Sequence, residues 1–217
     1  IYRTVFERCR DNRQLIIDKF PKLNRFLTGY DLRHVFNDDM SEFDLTRILT
    51  GSEGTLAFIT EARLDITPLP KVRRLVNVKY DSFDSALRNA PFMVDARALS
   101  VETVDSKVLN LAREDIVWHS VSELITDVPD KEMLGLNIVE FAGDDETVID
   151  AQVASLCERL DELIAREEAG VIGWQLCTEL AGVERIYAMR KKAVGLLGNA
   201  KGAAKPIPFA EDTCVPP

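Results

Sequence analysis

After Pro70 a strand-like period gives way to a helical one four times in succession, and this alternation limits the chain's possible folds more than any other feature. Residues 75–80 (Leu-Val-Asn-Val-Lys-Tyr) alternate as a half-buried strand does. Residues 98–104, 134–141 and 171–177 repeat that behaviour. Between and after them run helical patterns at 82–89, 105–112, 146–168 and 183–197, with Ser82 and Asp105 as natural N-caps. The 146–168 segment is the best helix of the chain. Its residues Ile149, Val153, Leu156, Leu160 and Leu163 form one continuous apolar stripe, and Gly170 follows as a terminating glycine. Strand–helix alternation by itself suggests a parallel sheet. Clean period-two alternation suits instead an antiparallel sheet with one lightly covered face. The expected fold is therefore α+β, an antiparallel sheet with helices packed on one side.

Upstream of Pro70 the pattern is different. Residues 1–23 carry apolar side chains at helical intervals and stop at Phe20-Pro21, where proline removes a donor and pushes its predecessor to extended geometry. A turn at 28–32 leads into a short expected helix, 31–36, and a polar break, Asn37-Asp38-Asp39. A further helix is expected up to Leu49, with Ser41 as cap and Asp44 in its first turn; Gly51 ends it. Residues 56–66 alternate like a strand, and Pro68-Leu69-Pro70 marks a boundary. The expected division is 1–70 and 71–217.

Composition narrows the function classes. With 217 residues, 46% hydrophobic and 29% charged, the chain can bury a real core. A formal net charge of −9 argues against a nucleic-acid surface. Arg190-Lys191-Lys192, the one dense basic cluster, suits a solvated helix turn. No apolar run has the length of a membrane span, and no signal-peptide pattern is present. Cys9, Cys157, Cys177 and Cys214 are scattered without ligand spacing, which suits reduced, buried thiols and a cytoplasmic location. His34 and His119 lack a carboxylate or cysteine at ligand spacing and read as packing or surface residues.

Gly51-Ser52-Glu53-Gly54-Thr55 is the strongest motif. Its two glycines allow positive φ and a close backbone approach to a flat ligand, although taken alone they read as a helix stop and a tight turn. Together with TGYDL at 28–32 and ITEARL at 59–64, the string resembles the end of the flavin-binding domain of FAD-linked oxidases of the vanillyl-alcohol-oxidase type, in the D-lactate and D-2-hydroxyglutarate dehydrogenase branch. The resemblance implies a piece of a longer flavoenzyme, consistent with a start at Ile1 without methionine. On this reading 1–70 ends the FAD domain and 71–217 is an incomplete cap, or substrate, domain. The resemblance places Thr28, Gly29, Tyr30, Gly51, Ser52, Glu53, Gly54, Thr55 and Ile59 beside FAD. Ala57 departs from the family's usual glycine. A divalent metal, the catalytic base and, in larger members, an iron–sulfur module would come from other segments; the electron acceptor is left open, and a homodimer is one assembly open to the parent.

In the second part the resemblance matches Arg190 to an arginine that grips the substrate carboxylate. The guanidinium offers a planar two-pronged fork that lysine lacks. Val194 stands where relatives often have threonine. Lys205 is the implied second carboxylate ligand, with Lys201 as a rival; Glu211 and Asp212 belong to a string resembling the family's E-D-x-x-V-P. The implied activity is oxidation of a D-2-hydroxy acid (D-lactate, D-2-hydroxyglutarate or glycolate) by hydride transfer to FAD. An alcohol or sugar oxidase of the same fold and a non-catalytic α+β interaction module are the alternatives.

Overall fold

A computed structural model describes residues 1–20, 22, 29–198 and 202. The chain divides into two compact units, one holding residues 1–66 and the other beginning at Thr67. Thr28, Lys201, Lys205, Glu211, Asp212 and Cys214 lie outside the described residues.

Among the described residues the first unit contains three short helices, α1 (Tyr2–Asp11), α2 (Arg13–Lys19) and α3 (Thr46–Thr50). Its core joins Cys9, Ile16, Val35, Phe36 and Ile48. Around them Phe6 meets Phe36 and Phe43 edge to face, and Phe36 and Phe43 meet at a tilt, with centroids 5.0–5.3 Å apart. Phe20 takes extended geometry and ends α2, as its proline neighbour demands.

Three expectations fail in this unit. Residues 31–36 form a turn rather than a helix, because Phe36 is drawn into an antiparallel bridge with Phe43 and the Asp44 N–H donates to the Val35 carbonyl at 2.8 Å. Ser41 does not cap α3, since its hydroxyl is engaged by Asp39. Helix α3 begins only at Thr46, with Leu45 at its N-cap, so Asp44 also precedes it rather than lying in its first turn, and accepts from the Thr46 N–H at 2.9 Å. The alternating 56–66 segment is not a strand. Phe58, Ile59, Leu64 and Ile66 are exposed, and no described strand pairs with this stretch. A strand is made by its neighbours, and alternation supplies only the side chains that would suit one.

The second unit is built on four strands, β1 (Val72–Tyr80), β2 (Ser100–Asp105), β3 (Gly135–Gly143) and β4 (Val171–Cys177). They are ordered β2-β3-β1-β4 with every neighbour antiparallel. Helix α4 (Phe83–Asp95) connects β1 to β2 and α6 (Glu146–Ala165) connects β3 to β4, the β-α-β-β-α-β arrangement of a ferredoxin-like sandwich. Helix α5 (Ser106–Arg113) and a 3-10 turn, Ile116–Ser120, are inserted between β2 and β3, and α7 (Leu180–Leu197) follows β4.

The α+β antiparallel expectation holds, but the helices cover both faces of the sheet rather than one. Val76, Val78, Tyr80, Val139 and Phe141 pack under α4 and α6, against Ala86, Met93, Ile149, Val153, Leu156 and Leu160. Leu75, Leu136 and Ile138 pack on the opposite side under α5 and α7, against Leu109, Val183, Ile186 and Met189. The polar phase of β1, which suggested a wet face, is covered too. Asn77 donates to the Leu124 carbonyl at 3.1 Å, and Lys79 Nζ reaches Thr126 Oγ1 at 3.2 Å. These partners sit in the segment after the inserted 3-10 turn, so long-range hydrogen bonds make the burial of those polar groups tolerable.

The caps behave as read: Ser82 accepts from Ser85 N–H and Asp105 from Val108 N–H. Helix α4 runs through Pro91 to Asp95, beyond its expected end, since buried Met93 holds its last turn on the sheet. Helix α6 stops at Ala165 before its expected limit. Glu167, Ala169 and Gly170 then all take left-handed φ. Gly170 is required there, because a Cβ would lie 2.2 Å from Ser85 Oγ.

Candidate functional site

In the first unit the two glycine motifs meet. A Cβ on Gly51 would stand 2.2 Å from the Gly29 carbonyl oxygen and 3.4 Å from Tyr30 Cα. Gly51 itself has φ −93°, so close backbone approach, and not a left-handed conformation, demands glycine there. The left-handed positions are Glu53 (φ 49°) and Gly54 (φ 77°). Ser52 is buried and donates to the Leu49 carbonyl at 2.7 Å, while Thr55 Oγ1 donates to the Ser52 carbonyl at 2.6 Å. Both hydroxyls therefore shape the turn. Tyr30 and Ile59 are exposed. Next to this turn lies a pair that sequence reasoning passed over. Buried Asp31 accepts from the His34 N–H at 3.2 Å and sits 2.8 Å from His34 Nδ1. The i,i+3 spacing of Asp and His was its only signal.

The second unit places Arg190 on α7, partly exposed, with Nη2 paired to Glu102 Oε2 on β2 at 2.5 Å. One turn earlier Tyr187 donates to Glu140 Oε2 at 2.5 Å, and Arg73 Nε donates to Glu140 Oε1 at 2.6 Å. Glu140 is buried, and the Arg73 guanidinium lies 5.4 Å from the centre of the Tyr187 ring. Burial first, and then the bond to Glu140, push the Tyr187 hydroxyl up to about 12. The same carboxylate, ahead of all else, raises the Arg73 pKa. Glu102, Glu140 and Tyr187 were not singled out in the sequence. Their signal was faint but present: Glu102 and Glu140 fall on the inward phase of strands whose neighbours at that phase, Val104 and Ile138, are core. An inward carboxylate needs a cation or donor above it.

These two places have different chemical capacities. At the first, the positions where Gly29 and Gly54 lack a Cβ are open, with no atom within 4 Å, so a planar group can approach bare main chain. At the second, a partly exposed guanidinium, paired with Glu102, is the group that could attract an anion. From residue 69 to residue 217 the chain matches the family model for FAD linked oxidases, C-terminal domain. The chain belongs to that family. Over all 217 residues it is 89% identical to a D-2-hydroxyglutarate dehydrogenase of Escherichia coli strain K12 and 46% identical to one of Pseudomonas putida strain KT2440, covering 100% of this chain and 21% of each relative. The glycolate oxidase subunit GlcD of Bacillus subtilis strain 168 is 32% identical over 73 residues, 33% of this chain and 16% of that relative. The chain thus spans about a fifth of the length of the curated dehydrogenases it matches. Among the described residues, no helix of this FAD-linked oxidase chain is long and apolar enough to cross a membrane.

Proposed function

We propose that this chain is part of an FAD-dependent dehydrogenase that oxidises D-2-hydroxyglutarate, in preference to D-lactate or glycolate. The observation that carries this reading is the unbroken similarity, end to end, to relatives bearing that name. Residues 1–70 are assigned to the end of the FAD-binding domain and 71–217 to the substrate domain. Gly29, Tyr30, Gly51, Ser52, Glu53, Gly54 and Thr55 would line the flavin with main chain, together with Thr28, and exposed Ile59 offers an apolar surface to a ring. Bound FAD supplies the hydride acceptor. Arg190 holds the C1 carboxylate of the substrate through its fork, and Lys205 is assigned as a second cation on that carboxylate. Their joint effect is to orient C2, which confers rate through positioning. Three buried, unpaired thiols, Cys9, Cys157 and Cys177, support a cytoplasmic location.

Steady-state kinetics of the full-length protein test the reading. Arg190→Ala is expected to cost about 2–5 kcal/mol in kcat/KM for D-2-hydroxyglutarate, roughly 30- to 5,000-fold. Equal or better turnover of glycolate or D-lactate would reassign the substrate. Unchanged turnover in Arg190→Ala would remove the arginine from the site.

A further inference from the structure

Arg190 is not held by its own helix. Its Nη2 is paired with Glu102 on β2, the one partner of this guanidinium among the described residues. Both two-pronged edges of a guanidinium include Nη2, which carries two N–H groups, so a single oxygen at 2.5 Å leaves one edge for a second carboxylate. A second tie lies one turn earlier, where the Tyr187 hydroxyl is 3.4 Å from Ser100 Oγ and donates to Glu140.

Ser100 and Glu102 lie two residues apart on one face of β2, a step of about 6.6 Å. Tyr187 and Arg190 are three residues apart on α7, a rise of about 4.5 Å. The helix therefore tracks the strand and touches it at both places. Glu140 and Ser100 set the rotation of α7, and Glu102 sets the rotamer of Arg190.

We propose that Glu102 is a positioning residue for the substrate carboxylate: it holds Arg190 at Nη2 and leaves the other two-pronged edge of the guanidinium presented to a 2-hydroxy acid. This rests on Arg190 being the substrate arginine. Two effects of Glu102 oppose each other. Its negative charge weakens the pull of Arg190 on an anion, and its grip removes the rotational freedom of a long side chain. Both partners are partly exposed, at 43% and 33%, so water and salt screen the first effect. The ordering effect is not screened, and it prevails.

The test is a double-mutant cycle in the full-length holoenzyme, using Glu102→Ala, Arg190→Ala and the pair, with D-2-hydroxyglutarate as substrate. Glu102→Ala is expected to raise KM about three- to tenfold, the cost of ordering one rotamer-rich side chain, with kcat changed less than about twofold. Glu102→Gln keeps the shape and an acceptor oxygen and recovers part of the loss; it also serves if the alanine variant folds poorly. In the Arg190→Ala background, removing Glu102 should change nothing further. A lower or unchanged KM in Glu102→Ala overturns the proposal, as does an equal rise in both backgrounds. If Arg190→Ala alone leaves both kinetic constants intact, it is the assignment of the substrate arginine that has failed, and Glu102 loses its role with it.

Discussion

At the scale of single residues, burial controls ionisation. Burial raises the thiol pKa values of Cys9, Cys157 and Cys177, that of Cys157 to about 11. Since the thiolate is the nucleophile, an alkylating reagent at pH 8 should label none of these three until denaturant is added. Rapid labelling of Cys157 in the native protein, read by mass spectrometry, would contradict this. Tyr187 gives a pH dependence with a definite sign. Its pKa in the folded state lies above the ordinary value of about 10, so the stabilisation is complete below pH 10 and is lost as pH rises from 10 through 12. The loss is roughly 1–2 kcal/mol after allowing for partial exposure. Denaturant unfolding of Tyr187→Phe should show a shallower fall over that window than the parent chain. The buried thiols could be anticipated from their scattered spacing. The Tyr187–Glu140 bond could not, because its partners are 47 residues apart.

At the scale of elements, the caps at Ser82 and Asp105 were legible, whereas Ser41 proved not to be a cap and the Asp145 cap was not singled out. Asp145 accepts from the Thr147 and Val148 N–H groups at the start of α6. Asp145→Ala should lower the stability of the second unit by about 1 kcal/mol in urea unfolding. The glycine turn was recognised as a motif, and its two glycines meet the two expected demands separately. Gly54 takes the left-handed conformation, whereas Gly51 needs space beside the Gly29 carbonyl. Gly51→Ala is accordingly expected to cost about 1–3 kcal/mol, as overpacking does, although its φ suits alanine. A neutral Gly51→Ala in thermal unfolding of the first unit would show that the two motifs do not meet there. The misread helix at 31–36 belongs to the same scale: its sequence tolerates a helix, and the Phe36–Phe43 bridge selects a turn.

At the scale of the whole molecule, coverage of the sheet was the hardest property to read. Burial of both faces follows from where the 3-10 insertion and α7 pack, and no window of sequence contains that information. The exposed 56–66 segment is the converse case, a strand-like pattern without a partner among the described residues. Two substitutions separate pattern from packing. In this chain, Phe58→Ser should leave the unfolding midpoint within about 1 °C, since its ring is fully exposed. Phe141→Ala, at a fully buried site, should cost about 3–5 kcal/mol. Comparable losses for the two would mean that 58 is covered in solution.

The sequence alone determined the order of strands and helices in the second unit, the apolar stripe of α6, the caps at Ser82 and Asp105 and the kinship carried by the glycine motif. Each depends on residues a few positions apart, where period, cap chemistry and backbone freedom act directly. Tertiary structure alone decided which strands are neighbours, that both faces of the sheet are covered, that Gly51 meets Gly29, and that Arg190 stands against Glu102 while Tyr187 stands against Glu140. These contacts join distant segments, and their free energy comes from packing and desolvation that exist only once the chain has folded.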